Sequence, residues 1–430
     1  MALLVDTLVR AKGLQPTTTF REDRVGGIVY SATNHRFSRV SPEELVTLRR
    51  LSRGEKVWLA SSTYDKWARA GWLSTDAKLY PSSEKPSPTA EQPFRPLSTM
   101  LVATHRCNAL CEFCCARPYM RSSNPKEFNS IEQVELLSQQ LHNLGVLQCV
   151  ISGGEPTLSP YLGVLLSTLI RYSIYPIVVS NGTVWKAEQY MMNDARSISW
   201  AFSYHSEDPS EHDAILKHRG AHRKVSEILR ELSRAGIRPR ANVVVGHFNL
   251  DRVERIIESL SYLGVGDVSL SQHLQMQRAK NKGLDPSYLS RRAEMITRWQ
   301  AKGVNVSTGY RFRFLYETGP TLMQELFPSF KGGCCAGLYE SLVFPNGSVH
   351  PCDYLWEEKF SVGNLFDKDG IQQITASAIF SILHQLSPDN ACLTCSYLKA
   401  CKGGCPGVRY MLEGKLAYPN PECPLLEARN

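Results

Sequence analysis

Between residues 100 and 271 the chain alternates short apolar runs with longer amphipathic stretches. The runs at 100–104, 148–152, 177–180, 199–204, 242–246 and 267–271 have the length and side-chain content of buried strands. Between them, 131–144 and 224–235 repeat apolar residues at helical spacing. Six strand–helix units in series predict an α/β fold with a parallel sheet, most simply a partial (β/α)6 TIM-like barrel. Functional residues of such a barrel gather at the carboxyl ends of its strands.

Ahead of the barrel, 26–30 and 36–40 read as two strands around a turn at Thr33 and Asn34. A helix follows, with Ser41 as N-cap, Pro42 in first position and Glu43 and Glu44 in the first turn. A second helical pattern carries Tyr64, Trp67 and Trp72. Strands and helices in so short a stretch predict a small winged-helix-like domain over 1–75. Pro81, Pro86, Pro88, Pro93 and Pro96, set among Ser, Glu, Lys and Thr, predict a linker over 76–98. The barrel is then expected over 99–310 and a cysteine-rich extension over 311–430.

Composition narrows the function classes. Hydrophobic residues make up 43% of the 430 and charged residues 21%, as in an ordinary globular protein of more than one domain. The longest apolar stretches fall short of the ~18 residues that span a bilayer. The segment MALLVDTLVRAKG carries no small-residue cleavage site. A cytoplasmic location without membrane contact is expected. The net charge is +8, but no Lys/Arg-dense stripe supports a nucleic-acid partner. Residues 1–75 hold 12 basic and 7 acidic residues, which suits an acidic partner.

Thirteen cysteines are missing from the first hundred residues and crowd into short zones. That distribution favours metal ligation in a reducing compartment over disulfides. Cys107, Cys111 and Cys114 stand as C-x3-C-x2-C directly after the first barrel strand. Three thiolates on one loop suit three irons of a [4Fe-4S] cube, leaving the fourth iron open. A zinc knuckle is the alternative, although such sites usually present a second Cys or Cys/His pair. Gly153, Gly154, Glu155 and Pro156 follow the second strand. The glycines permit close approach of a ligand to the backbone, and Glu155 offers a carboxylate to a cationic amine. Ser180, Asn181, Gly182 and Thr183 follow the third strand and Ser203 ends the fourth; both read equally well as turns. His205, His212 and Arg219 read as a solvated face. Cys115 and Cys149 fall outside every motif and read as free cysteines, with a redox role as the alternative for Cys115.

The last hundred residues hold Cys334, Cys335, Cys352, Cys392, Cys395, Cys401, Cys405 and Cys423. Their number matches two tetrathiolate sites. Spacing alone leaves zinc and iron–sulfur clusters equally open.

C-x3-C-x2-C followed by Gly153-Gly154-Glu155-Pro156 resembles the radical S-adenosylmethionine enzymes. The resemblance implies that the open iron chelates S-adenosylmethionine and that one electron then releases a 5′-deoxyadenosyl radical. It also implies that the Gly153-Gly154-Glu155 loop grips the methionyl amino group and that Ser180, Asn181 and Ser203 are polar cofactor positions. The C-terminal string resembles the SPASM extension of these enzymes, which implies two auxiliary clusters and three [4Fe-4S] clusters in all. The family pattern assigns Cys334, Cys352 and Cys405 to the first auxiliary cluster, and Cys392, Cys395, Cys401 and Cys423 to the second. Pro328, Ser329 and Phe330 stand where fully ligated members have a further cysteine. The first auxiliary cluster therefore has an open iron or recruits Cys335. Asp353 matches an aspartate that takes a proton from the substrate radical in sulfatase-maturing members; its alternative role is a hydrogen bond near the cluster.

Residues 21–73 resemble the recognition element of maturases of ribosomally made peptides, which adds a leader peptide as an extra strand. The implied partners are a precursor peptide with a leader segment and an electron donor such as flavodoxin or ferredoxin. The implied reaction is oxidative C–S or C–C cross-linking. A sulfatase-type formylglycine maturase, a peptide epimerase and a peptide-binding scaffold with a degenerate barrel are the alternatives.

Overall fold

The computed structural model describes residues 8–11, 18–23, 26–31, 36–73, 84–89, 93–117, 126–186, 197–273, 286–308, 326, 333–388, 390–419 and 423. Its N-terminal part contains β1 (Leu8–Ala11), β2 (Thr18–Asp23), β3 (Gly26–Ser31), β4 (Arg36–Val40), α1 (Pro42–Ser52), β5 (Val57–Ala60), α2 (Ser61–Arg69) and β6 (Glu84–Lys85). β4, β3 and β2 form an antiparallel meander, and β6 adds to β2 in parallel. β1 and β5 pair separately. A full capping box starts α1: Ser41 Oγ accepts from the Glu44 N–H at 3.2 Å, and the Glu44 carboxylate accepts from the Ser41 N–H at 2.9 Å. Trp67 and Trp72 lie buried 5.5 Å apart, centroid to centroid, and close a small core over β2, β3 and α1.

The barrel strands are β7 (Ser98–Thr104), β8 (Gln148–Gly153), β9 (Tyr175–Ser180), β10 (Ser199–Ser203), β11 (Arg240–Val245), β12 (Asp267–Gln272) and β13 (Asn305–Thr308). They run parallel in sequence order from β7 to β13, an open sheet and so a partial barrel. β13 is a seventh strand that the pattern did not announce. Val306 is buried there between exposed Asn305 and Ser307, so no apolar run marks it. Between β7 and β8, the helix Ile131–Leu144 starts on Ser130 and stops at Gly145, which takes a left-handed backbone. β14 (Leu342–Val343) then joins the other edge of β7 in parallel, and β15 (Ser348–His350) and β16 (Gly363–Asn364) extend the sheet antiparallel. The C-terminal extension is thus continuous with the barrel sheet.

Strand alternation divides the core in two. Cys149, Ile151, Val178, Trp200 and Phe202 face the outer helices. Val150, Ile177, Val179 and Ala201, on the opposite face of the same strands, meet Ile28, Tyr30 and Phe37 of the N-terminal sheet. The small sheet therefore packs against the inner face of the barrel sheet near the strand starts.

The proline-rich stretch read as a linker is partly ordered into this junction. Arg21 on β2 and Lys85 on β6 are almost fully buried. Arg21 donates to the carbonyls of Arg95 (2.7 Å), Gly145 (3.2 Å) and Pro96 (3.4 Å). Arg95 donates to those of Asn143 (2.9 Å) and Leu144 (3.1 Å). Lys85 Nζ donates to the Tyr172 carbonyl and lies 2.7 Å from His142 Nδ1. Both helix ends served here carry unsatisfied carbonyls and partial negative charge, which explains why cations sit there. Among the described residues no helix is long and apolar enough to cross a membrane.

Candidate active site

The cysteine loop leaves the end of β7 and is held from several sides. The Glu127 carboxylate accepts from the His105 N–H (2.7 Å) and from Thr104 Oγ1 (3.0 Å), while the Leu110 N–H donates to the Leu216 carbonyl (3.1 Å). Phe113, between Cys111 and Cys114, packs on His205 at 4.6 Å and on Phe248 at 5.9 Å. Cys107, Cys111 and Cys114 are each half-buried. Burial raises the Cys107 thiol, and burial with the neighbouring Cys114 and Cys107 pushes Cys111 to about 12. The three cysteines are thus close together, and a cationic cluster would relieve the cost of ionising Cys107 and Cys111 there.

The Gly153–Gly154–Glu155 turn lies directly against this loop. The Gly154 N–H donates to the Thr104 carbonyl and the Glu155 N–H to the Arg106 carbonyl, both at 2.8 Å. Gly153 has φ +115°, and a Cβ on Gly154 would stand 2.1 Å from the Arg106 carbonyl oxygen. In this fold the two glycines let the cysteine loop, rather than a ligand alone, approach the turn. Glu155 is buried, and its carboxylate accepts from Thr157 Oγ1 (2.6 Å), Ser180 Oγ (2.7 Å), the Asn181 N–H (2.8 Å) and the Thr157 N–H (3.1 Å). Desolvation raises its pKa, and these donors oppose that rise. Asn181 Nδ2 in turn donates to Asn108 Oδ1 (3.0 Å), and Asn108 Nδ2 donates to Thr183 Oγ1 (2.7 Å). Ser180 and Asn181 thus join Glu155 to the cysteine loop. Ser203 ends β10 half-buried, paired in register with Asn242. Asn108, Glu127 and Thr157 belong to this network and carried no motif signal.

His205 and His212 require a correction. They were read as part of a solvated face, yet both are fully buried. His212 Nδ1 accepts from the His205 N–H and His205 Nδ1 from the Val244 N–H, each at 3.1 Å. Burial lowers both pKa values, that of His212 to about 3, so both rings are neutral. They form the packing under Phe113, which explains polar residues on an inward surface.

The C-terminal cysteines separate into two neighbourhoods. Burial raises the thiols of Cys334, Cys335 and Cys352, and each also feels Cys405 and Glu340. Burial pushes Cys401 to about 12, with further contributions from Cys423, Cys392 and Cys395. The first neighbourhood holds Cys334, Cys335, Cys352 and Cys405, and the second Cys392, Cys395, Cys401 and Cys423. Pro328, Ser329 and Phe330 lie outside the described residues. Asp353 follows Cys352 and acts electrostatically on Cys352 and Glu340. Cys115 is half-buried beside the first loop, and Cys149 is buried in the barrel core. The first site and this extension touch through rings: His105 stacks on Phe344 at 5.9 Å, and Phe344 meets His350 edge-on at 5.3 Å.

Among the described residues no three His, Cys, Asp or Glu side chains converge tightly enough for a single metal ion. A multinuclear cluster asks for a wider cradle, and grouped, buried thiols fit its chemistry.

Residues 101–260 match the radical SAM superfamily, and residues 334–402 match the SPASM iron–sulfur cluster-binding domain. The chain is 25% identical over 329 residues to the mycofactocin maturase MftC of Mycolicibacterium smegmatis, covering 74% of this chain and 80% of that protein. It is 26% identical over 343 residues to the PqqA peptide cyclase of Streptomyces rochei, covering 78% and 91%. Among solved structures, Streptococcus suis SuiB bound to its precursor peptide SuiA superposes with a TM-score of 0.69 at 18% identity, over 96% of this chain and all of that one. The cofactors that accompany these domains are S-adenosylmethionine and [4Fe-4S] clusters. The chain belongs to the radical S-adenosylmethionine superfamily and carries a SPASM iron–sulfur domain at its C-terminal side.

Proposed function

We propose that the protein matures a ribosomally made precursor peptide by oxidative cross-linking. The reading rests most on the N-terminal sheet, which is fixed to the barrel by Arg21, Lys85 and Arg95. Among the described residues its outer strand β4 pairs on one side only, with β3. Such an edge can accept an extended leader peptide as a further strand, and the surplus of basic residues over 1–75 favours an acidic one. The relatives named above, a maturase and a peptide cyclase, support a peptide substrate. Residues 1–75 would then be the leader-recognition domain, 76–98 the connection, 99–310 the radical barrel and 311–430 the auxiliary-cluster domain.

When bound, S-adenosylmethionine and the clusters supply a 5′-deoxyadenosyl radical and a sink for one electron. Cys107, Cys111 and Cys114 would hold the first cluster, and the fixed Glu155 carboxylate would hold the methionyl ammonium. Ser180, Asn181 and Ser203 would line the rest of the cofactor site. Cross-linking removes one hydrogen atom from a peptide carbon, then one proton and one electron as the new bond to sulfur or carbon forms. Asp353 would accept that proton. A leader held by the rigidly seated N-terminal sheet raises the effective concentration of the core segment at the barrel.

The test is anaerobic turnover of the reconstituted protein with synthetic candidate precursor peptides, followed by deoxyadenosine assay and peptide mass measurement. Cross-linking predicts a product lighter by two hydrogens. An unchanged mass with an inverted residue would establish epimerisation instead, and a Cys-to-aldehyde conversion would establish formylglycine formation. Peptide binding without deoxyadenosine would leave only a scaffold.

A further inference from the structure

We propose that Leu110 and the basic turn 217–224 form the docking face for a small acidic one-electron carrier protein, which reduces the cysteine-loop site. This role follows from the chain's membership of the radical S-adenosylmethionine superfamily and does not depend on the cross-linking reaction. The carrier loses one electron, and reductive cleavage of the sulfonium C–S bond of S-adenosylmethionine consumes it. Methionine and the 5′-deoxyadenosyl radical are the products, and no proton moves.

Leu110 stands between Cys107 and Cys111 and is 59% exposed. One exposed leucine is ordinary on a protein surface, but this one interrupts a set of half-buried thiols. The helix Pro209–Leu216 ends against it. The Leu110 N–H donates to the Leu216 carbonyl at 3.1 Å, and the Glu112 N–H donates to the Ile215 carbonyl at 3.3 Å. Arg117 braces the loop from within by donating to the carbonyls of Leu110 (2.9 Å) and Cys111. Cysteine loop and helix end therefore form one surface.

The chain leaves that helix end through a strongly basic turn. Residues 217–224 hold Lys217, Arg219, Arg223 and Lys224 and no acidic residue, and all four cations are exposed. The turn is also fixed. The Asp213 carboxylate accepts from the Gly220 N–H and, at 2.9 Å, from the His222 N–H, and Lys224 Nζ donates to the Thr183 carbonyl at 2.9 Å. Asp213 thus spends its oxygens on the backbone. Among the described residues Lys217, Arg219 and Arg223 have no ion-pair partner. Glu112, the one carboxylate in 107–117, lies 3.7 Å from His247 Nε2.

Electron transfer weakens steeply with distance, so a carrier must bring its redox group against the cysteine loop itself. Acidic carriers present an apolar redox edge ringed by carboxylates, and an apolar point beside a basic rim is its complement. Small contacts suffice for electron-transfer pairs, and opposite charge raises the encounter rate. The second auxiliary neighbourhood offers a rival entry, since Leu393 and Tyr397 are exposed there. Residues 390–398 carry no charge, however, and supply no such attraction.

The test uses full-length protein reconstituted with iron and sulfide, with an acidic flavodoxin and an acidic ferredoxin as probes. Carrier binding by calorimetry is one readout. The other is deoxyadenosine formation driven by reduced carrier or by dithionite, which needs no docking face. At low salt, Arg219→Glu/Arg223→Glu should weaken carrier binding about tenfold and raise the half-saturating carrier concentration to match, with the dithionite rate unchanged. High salt should erase the difference. Arg234→Glu/Lys368→Glu makes the same charge change at exposed positions elsewhere and should bind carrier as wild type does. Should the first variant also lose its dithionite rate, Arg219→Gln/Arg223→Gln decides through binding alone. Wild-type protein that binds neither carrier, variants at Arg219 and Arg223 that bind as wild type, or an equal loss in Arg234→Glu/Lys368→Glu each overturns the proposal. Absence of deoxyadenosine under dithionite would instead count against the cross-linking reaction, and carrier binding would still judge this face.

Discussion

The cysteine loop after β7 and the cysteine field after residue 390 use the same ligand type but are built on opposite principles. The first is framed before any metal arrives. Glu155, Asn181, Asn108 and Glu127 tie it to β8, β9 and the segment before the first barrel helix. The second stands on helices of only four residues, Asn390–Leu393 and Leu398–Cys401, joined by turn hydrogen bonds such as Cys395 N–H to the Cys392 carbonyl at 2.9 Å. Helices so short are unstable alone in water. The barrel thus presets a reactive centre, whereas the short helices of 390–401 depend on their cluster for order.

The largest test of that contrast is the triple replacement of Cys107, Cys111 and Cys114 by Ala. Deoxyadenosine formation should fall to the buffer background, while the circular dichroism spectrum stays unchanged because the hydrogen-bonded frame survives. A loss of fold in this variant would break the comparison. Next in size is iron removal by a chelator. Hydrogen exchange in 390–401 should then rise by orders of magnitude towards unprotected rates, with 148–153 and 175–180 still protected. Equal loss in both regions would show that the barrel also needs its cluster to fold.

How much of this contrast could be read in the sequence depended on range. Strands β7 to β12 and the N-cap at Ser41 were legible because periodicity and caps are local signals. The number of C-terminal cysteines suggested two sites, but their division between the two came only from the family resemblance. The Asn108–Asn181 contact joins residues 73 positions apart and had no local signature. Burial of His205 and His212 was missed because polar letters on a loop and the helix after it ordinarily mark a wet face, whereas here each Nδ1 serves a backbone N–H. Lys85 and Arg95 were hidden among prolines, since composition cannot show that two helix ends await them.

Single substitutions in cluster-free protein sharpen the comparison further. Glu155→Gln keeps the shape but presents an amide where the carboxylate accepts four hydrogen bonds. At least one donor is left facing a donor, so denaturant melts should show a loss of about 2–3 kcal/mol. Cys395→Ser, in a region with little metal-free order, should cost less than about 0.5 kcal/mol. If the two losses were equal, the first site would not be preorganised.

A further effect concerns acid. The helix Pro209–Leu216 supports the cysteine loop through the Leu216 carbonyl and carries His212, whose pKa burial lowers from 6.5 to about 3. Between these values the unfolded chain binds a proton that the folded chain does not, so stability rises with pH across the window. It is fully present above about 6.5 and is lost as pH falls towards 3, reaching about 1.4 kcal/mol lost at pH 5.5. His212→Asn retains an acceptor for the His205 N–H but cannot titrate. Melts of this variant between pH 6.5 and 5 should therefore show a slope shallower by about one proton. An unchanged slope would mean that His212 titrates normally and that the support beneath the cysteine loop is open to water.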